Sequence, residues 1–420
     1  MHFEHDISFE QITLLSNAFF CKCLDEQPRL PRTDDFYTPD NSSWVELPAG
    51  TVLKHREVKL GTLIPNAPSQ AKAFQLLYVT QNVTELPAYT VTTIVVPPRP
   101  NYNRLLSFQI AYDAPDIDCS PSYGLQFGAE GNAVVWNMPQ RLSVLPFLMR
   151  GPILNIPDYE GANAAFTVGP QTAFQTLDSI RAALKSTDIT GLAENADTVM
   201  YGYSGGGFAT EWASEFHSTY APDLRIIGAV VGGPPPNITK TYLSIDGGEM
   251  SAINAYAVLG VMNAFPNVSD YLYEHLLPQH KHTFLNSQRR CHPKNCKPPP
   301  LKGIKISDFF NNGAEFLHEF NDVLDMNGVM GRREAPKFPL FVYKGLNDDI
   351  TVDNEDVDAL VDSFCRNGTK VRYYRYKELG HADALVAGMV PAWNWISGIF
   401  NGPGEKEPDE DYLGIVREEL

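Results

Sequence analysis

The sequence lacks any long apolar run. Crossing a bilayer as a helix takes about 20 consecutive apolar residues, and no stretch approaches that, so no transmembrane anchor is expected. Positive charge is also in short supply: 33 Lys and Arg face 50 Asp and Glu, for a net charge of −17 over 420 residues. That balance argues against nucleic acid or an anionic membrane surface as a partner. Cysteine is sparse. The six present, Cys21, Cys23, Cys119, Cys291, Cys296 and Cys365, are spaced neither as paired zinc knuckles nor as a Cys-x-x-Cys redox motif, and one or two disulfides are the expected use. The one dense glycine cluster has no Lys after it, which excludes a phosphate-binding loop. It also lacks the Gly-x-Gly-x-x-Gly spacing, with an acidic residue about twenty positions on, of a dinucleotide fold.

The chain does carry five Asn-x-Ser/Thr sequons, at Asn41, Asn82, Asn237, Asn267 and Asn367. Sequons in this number, with an even count of cysteines, point to the secretory pathway. The N-terminus reads less well: an acidic leader precedes a weak apolar patch from Ile12 to Phe20, a poor secretory signal. The expectation is a secreted protein whose residues 1–29 form an N-terminal segment open to processing.

Residues 74–96 alternate β-branched and aromatic residues around a polar turn, as antiparallel strands do. "RLLSFQIAYD" is a further strand ending near Asp113. From there strand-like and helix-like stretches alternate: "GPILNIPDYEG", then "GPQTAFQTLDSIRAALKS" with Phe174, Leu177, Ile180 and Leu184 at helical spacing, "ADTVMYGYS", "FATEWASEFHSTYAP" halted at Pro222, and "LRIIGAVVGG". Strand–helix alternation indicates a parallel sheet with crossover helices. It resumes with "KFPLFVYKG", "KVRYYRYKELG" and a closing helix, "ALVAGMVPAWNWISGIF". Residues 236–336 between carry helical patches and no convincing strand. The expected organisation is an α/β core over 30–235 and 337–401, a helical cap inserted at 236–336, and a loosely attached acidic tail at 402–420.

The glycine cluster matches Gly-x-Ser-x-Gly at Gly202, Ser204 and Gly206, with a strand before it and a helix after it. This is the setting of a nucleophile elbow, where a strained serine is lifted above the sheet. An ordinary Gly-rich turn is the plainer reading of five residues alone; the flanking strand and helix favour the elbow. A serine needs a base, and in α/β-hydrolases the partners follow in the order Ser, acid, His. His381 lies between the last strand and the last helix and is the base expected. His217, on the helix after Ser204, reads as a surface or structural residue. The acid belongs to the loop after the preceding strand, which offers Asp348 and Asp349. Only one can orient the imidazole, the other bracing the loop or facing solvent, and Asp348 is preferred. The interval from Ser204 to Asp348 far exceeds the one or two strand–helix units of about 30 residues that the fold requires; the surplus is the cap, placed to roof the site.

At this point the chain resembles the fungal secretory lipases. The resemblance rests on "SFQIAYDAPDIDCSPSY", "DYEGANAAF", "GYSGGGFATEWASE", "YAPDLRIIGAVVGGPPP", "KFPLFVYKGLNDDI" and "GHADALVAGMVPAW", and spans residues 30–400. It implies an α/β-hydrolase fold, with Ser204 as nucleophile, His381 as base and Asp348 as acid. It further implies an oxyanion hole made by the Gly205 amide and the Asp113 side chain, and a disulfide from Cys119 to Cys291. The family includes acylglycerol lipases and esterases that deacetylate fungal metabolites such as trichothecenes. The leading expectation is therefore a serine ester hydrolase acting on a small apolar ester or at a lipid interface, with no metal or organic cofactor. The alternative of another class is a catalytically silent binding protein on the same fold.

Overall fold

The computed structural model describes residues 27–61, 69–130, 142–289, 291, 301–402 and 416–419. They build one sheet of ten strands: β1 (Val52–Val58), β2 (Lys72–Gln81), β3 (Pro87–Val96), β4 (Pro100–Gln109), β5 (Gly151–Pro157), β6 (Asp197–Tyr203), β7 (Ile226–Gly232), β8 (Leu340–Gly345), β9 (Val371–Tyr376) and β10 (Val416–Glu419). Their order across the sheet is β1-β2-β3-β5-β4-β6-β7-β8-β9-β10. The pairs β1/β2, β2/β3 and β3/β5 are antiparallel, and every pair from β5/β4 onward is parallel. This is the mostly parallel sheet of an α/β-hydrolase.

The antiparallel part follows from the sequence as read. β2 and β3 pair in register from Lys72 with Val96 to Gln81 with Pro87. The Asn82 side chain ties the turn, accepting from the amides of Thr84 and Leu86, each at 3.0 Å. Strand β1 was not anticipated. Its sequence, VLKHREV, carries charges through an edge strand, which protects the edge but hides the alternation a strand shows. The tail reads differently in the structure too: Val416–Glu419 adds to the far edge as a parallel partner of β9. Strand β4 ends at Gln109, earlier than expected, so Asp113 falls in the loop beyond it.

Among the described residues the α-helices of eight residues or more are α1 (Gly169–Leu184), α2 (Gly205–Tyr220), α3 (Ile238–Ile245), α4 (Ser251–Ala264), α5 (Pro266–His275), α6 (Pro278–Ser287), α7 (Asn321–Gly328), α8 (Asn354–Arg366) and α9 (His381–Asn401). Helix α2 begins three residues before the predicted "FATEW" start, because the glycines after Ser204 form its first turn. On one face of the sheet Leu177 and Ile180 of α1, Phe208 and Trp212 of α2, and Leu360 and Phe364 of α8 share a core with Met200, Val231 and Val342 of the strands. On the other face Ala392, Trp395, Ile396 and Phe400 of α9 pack on Leu106, Val199, Val230 and Phe341. Both faces are thus buried, as parallel sheets require.

Between β7 and β8 the described residues form α3 to α7, shorter helices and turns, with no strand. This region has its own apolar core, including Leu259, Leu272, Phe284, Phe309 and Phe310. It is bound to the α/β layer covalently: Cys119, in the segment after β4, is joined to Cys291, past α6, with Cα atoms 5.2 Å apart and a sequence separation of 172. Cys119 is buried among Tyr112, Tyr159 and Ala209. A bridge closing so long a loop stabilises chiefly by restricting the unfolded chain. A non-reduced digest should therefore yield a Cys119–Cys291 linked peptide. Cys291→Ser should lower stability by about 2–4 kcal/mol, read as an earlier urea midpoint; free thiols at both positions would contradict the pairing.

Candidate active site

Strand β6 runs into Ser204, whose backbone sits at φ 59° and ψ −122°, outside the regions open to L-residues, and α2 starts at the next residue. Such a conformation costs about 1–3 kcal/mol and persists only where its surroundings enforce it. Here the Ser204 amide donates to Gly232 O at 2.9 Å, and Phe208 N donates to Ser204 O at 2.8 Å. The two motif glycines are steric necessities. A Cβ at Gly202 would collide with Gly206 O, and one at Gly206 with Gln109 O of β4. Strand β6, helix α2 and strand β4 approach so closely that no side chain fits between them. The Gly205 amide stands at the N-terminus of α2, where helix amides are unsatisfied and anions are favoured.

Asp113 lies across from it. The Asp113 carboxyl sits so close to Gly205 that a Cβ there would strike Oδ1. Asp113 itself has φ 45° and is 5% exposed. Its Oδ1 has no hydrogen-bond partner among the described residues, and burial pushes its pKa up to about 7. The loop carrying it is braced by Glu160, another buried carboxyl: Ala114 N donates to Glu160 Oε2 at 3.4 Å, and Glu160 N donates to the Tyr112 hydroxyl oxygen at 2.6 Å. Burial, and then Asp113 nearby, hold the Glu160 carboxyl well above the usual range. Asp113 thus places a buried carboxyl, shifted toward its neutral form, beside a helix N-terminus.

His381 opens α9. Its Nδ1 lies 2.8 Å from Asp348 Oδ2. Its ring packs on Tyr203, centroids 5.0 Å apart, and the Tyr203 hydroxyl donates to His381 O at 2.5 Å. The residue just before Ser204 therefore seats the histidine. Of the two aspartates offered by the sequence, Asp348 meets the imidazole, while Asp349 braces the loop by accepting from His381 N at 3.4 Å. Asp348 Oδ1 accepts from Ile350 N at 2.9 Å and Thr351 N at 2.7 Å, and Oδ2 accepts from Thr351 Oγ1 at 2.7 Å. Lys344 Nζ stands 3.4 Å from the same Oδ2. Burial alone would raise the Asp348 carboxyl, but His381, Lys344 and Thr351 together hold it well below the usual carboxylate range. The Asp348 and His381 loops are also joined by backbone: Leu346 N donates to Tyr376 O at 2.9 Å and Asn347 N to Leu379 O at 3.1 Å.

Asp353 and Asp356 play another part. Asp353 caps α8, accepting from Asp356 N at 3.2 Å, and both pair with Lys240 of α3. His217 is structural: Nε2 lies 2.9 Å from Leu224 O, and its ring meets Phe338 edge-on. Lys344, Thr351, Glu160 and Tyr203 are marked for the site by none of the sequence motifs. The one available signal was a lysine at the end of the apolar strand FVYKG, where burial makes a charge expensive.

Ser204, Gly205 and Asp113 line one cavity with Ile350 and Thr351 from the loop after β8 and Ile238, Tyr242, Ile253 and Ala257 from α3 and α4. A second space is bordered by the same Thr167, Ile238, Tyr242 and Ala257 and reaches Leu272, Phe320 and Leu324. Among the described residues no group of three His, Cys, Asp or Glu side chains is placed to hold a metal ion.

Residues 125–407 match the Secretory lipase family. The chain is 34% identical over 380 residues to the secreted triacylglycerol lipase LIP1 of Malassezia furfur, covering 88% of this chain and 76% of that one. It is 31% identical over 393 residues to the trichothecene C-3 esterase of Fusarium sporotrichioides, covering 89% and 85%. The solved structure of Candida antarctica lipase A superposes with a TM-score of 0.81 at 26% identity, over 94% of this chain and 90% of that one. A buried Asp–His pair, a strained serine at a strand-to-helix turn and this breadth of similarity agree: the chain belongs to the secretory lipase family and is a serine ester hydrolase of the α/β-hydrolase fold.

Proposed function

We propose that this protein hydrolyses apolar carboxylic esters, acylglycerols foremost, through an acyl-enzyme on Ser204. The observation that carries the reading is the cavity. Its floor holds the strained serine, a helix N-terminus and a buried carboxyl, and its walls are mainly apolar and include residues of α3 and α4. In the proposed mechanism His381 takes the Ser204 proton as the hydroxyl attacks the ester carbonyl. Asp348 holds the imidazole with Nδ1 protonated and stabilises the imidazolium that forms. The Gly205 amide and a neutral Asp113 donate to the developing oxyanion. His381 then returns the proton to the departing alcohol, and water, activated by the same base, releases the acid.

Residues 236–336 act in this proposal as a cap that shields the reaction from bulk water and receives the acyl chain. The second apolar space, bordered by the same Ile238, Tyr242 and Ala257 and reaching Leu272 and Leu324, favours acyl groups longer than acetyl. Deacetylation of a small hydrophobic metabolite is the second reading, favoured by the similarity to the trichothecene C-3 esterase. We also propose that the protein is secreted. Asn41, Asn267 and Asn367 of its sequons are exposed, the disulfide suits an oxidising compartment, and the family is one of secretory lipases.

Hydrolysis of p-nitrophenyl esters from acetate to palmitate separates the two substrates: kcat/KM should rise beyond acetate, whereas a maximum at acetate would favour the deacetylase. Ser204→Ala should abolish turnover and keep the fold, since only the displayed hydroxyl is removed; substantial residual activity would defeat the assignment.

The two aspartates give a sharper comparison. Asp348→Asn should lose roughly 10⁴-fold in kcat, the size of effect seen when a triad carboxylate is neutralised, and Asp349→Asn far less. Equal losses would mean that neither carboxylate alone orients His381.

Asp113 sets a pH dependence. A donor that titrates near 7 loses its proton in alkaline solution, and an ionised carboxylate repels the oxyanion. Activity should therefore fall on the alkaline side. Asp113→Asn should flatten that limb while keeping part of the rate, and Asp113→Ala should lose about a hundredfold or more. Stability follows the same sign. The native state keeps a proton that the unfolded chain releases near the ordinary carboxylate value of about 3.9, so the contribution is complete in acid and is lost as pH rises through about 7. Asp113→Asn should flatten this slope in urea titrations, and an unchanged slope would refute the assignment.

A further inference from the structure

Lys344 is fully buried at the end of β8. A lysine is among the most costly residues to place there, and an apolar side chain of similar volume would often be more stable. What surrounds it shows how it is compensated. Its Nζ donates to Thr351 O and to Thr351 Oγ1, the latter at 2.9 Å, and it stands 3.4 Å from Asp348 Oδ2. Thr351 Oγ1, while accepting from Lys344, donates to the same Oδ2 at 2.7 Å. That oxygen is also the one facing His381 Nδ1 at 2.8 Å. One carboxylate oxygen therefore receives the imidazole on one side and the lysine, directly and through threonine, on the other.

We propose that Lys344 is a positioning residue for the proton relay: with Thr351 it fixes the Asp348 carboxylate against His381, and its charge tempers the pull of that carboxylate on the imidazole. The inference rests on the catalytic reading of Ser204, His381 and Asp348.

The neighbouring charges leave this pairing as the dominant one. Asp353 and Asp358 of the α8 segment also influence Lys344. Asp353 is paired with Lys240 at 3.1 Å, and Asp358 with Arg375 of β9 at 3.4 Å. From β6 the Tyr203 hydroxyl lies in the field of Asp348 and Asp349, together with Tyr201 and Tyr376, and is itself spent on His381 O. Asp349 is turned to the His381 amide. Burial pushes the Lys344 ammonium toward losing its proton, and Asp348 opposes that first among the charges.

A charge that opposes imidazolium formation keeps the base available at lower pH. Lys344→Met removes the charge while keeping a long side chain. Its acid limb of kcat/KM, which reports the base in the free enzyme, should move to higher pH by roughly one unit. Its kcat should fall by about tenfold or more with KM little changed. Lys344→Arg keeps the charge and should restore the position of the limb. A Lys344→Met enzyme with the wild-type limb overturns the proposal, whether its kcat is intact or merely reduced as a packing defect would reduce it.

If Lys344→Met does not accumulate as folded protein, Thr351→Val decides on the same readouts. Losing the relay hydroxyl should raise the acid limb and lower kcat, and a wild-type profile overturns the proposal. Ser204→Ala on the same p-nitrophenyl ester separates the two levels. An active Ser204→Ala enzyme defeats the catalytic reading itself. A dead one beside an unshifted Lys344→Met enzyme defeats only the role given to the lysine.

Discussion

The organisation of this molecule depends on one steric constraint, the near-contact of β6, α2 and β4 around Ser204. Because backbone atoms of Gly206 and Gln109 occupy the space where side chains would stand at Gly202 and Gly206, the chain must turn from strand to helix within a single residue. That residue takes a conformation L-amino acids avoid. The strain is held by burial on both sides: α2 buries Trp212 and Phe208 against one face of the sheet, and Tyr203 packs on Tyr343 and His381 on the other side of the turn. The same closeness draws Asp113 to Gly205.

Two buried carboxyl groups near the serine are treated in opposite ways. Asp348 has four hydrogen-bond partners, two amides, a hydroxyl and an imidazole, with an ammonium 3.4 Å away, and these hold its pKa down in spite of its burial. Asp113 receives no donor on Oδ1 among the described residues, and burial drives it toward the neutral acid. The chemistry proposed needs this division, because one carboxylate must attract a cation and the other must donate to an anion. A single fold supplies both through local differences in solvation and hydrogen bonding.

The helical region between β7 and β8 is fastened to this centre at several points. The disulfide joins it to the loop that carries Asp113. Lys240 of α3 reaches Asp353 and Asp356 at the start of α8. Glu215 of α2 accepts from Gly331 N at 2.5 Å and Arg333 N at 2.8 Å, where the chain leaves α7 and returns toward β8. Asn237 and Val329, the two ends of the excursion, form a bridge. Any displacement of these helices would therefore be felt at the helix that bears the serine turn and at the loop that bears the acid.

The local signals in the sequence were enough for the strand–helix alternation, the serine turn with its glycines, and the loop positions of His381 and the aspartate pair. Each of these rests on spacing and backbone sterics within a few residues. They were not enough for β1, where edge charges mask the alternation, or for Val416–Glu419, whose acidic strand exists only because β9 offers an open edge. Nor did the residues alone decide between Asp348 and Asp349, since adjacent carboxylates are equivalent until the fold points one at the imidazole and the other at a backbone amide. Lys344 was invisible for the same reason. In sequence it is a lysine at the end of a strand; in the structure it is a buried cation, because Asp348 and Thr351 fold back over it. Tertiary structure decides which charges lose water and which partners they meet in return, and those two quantities depend on contacts between loops that the chain brings together only when folded.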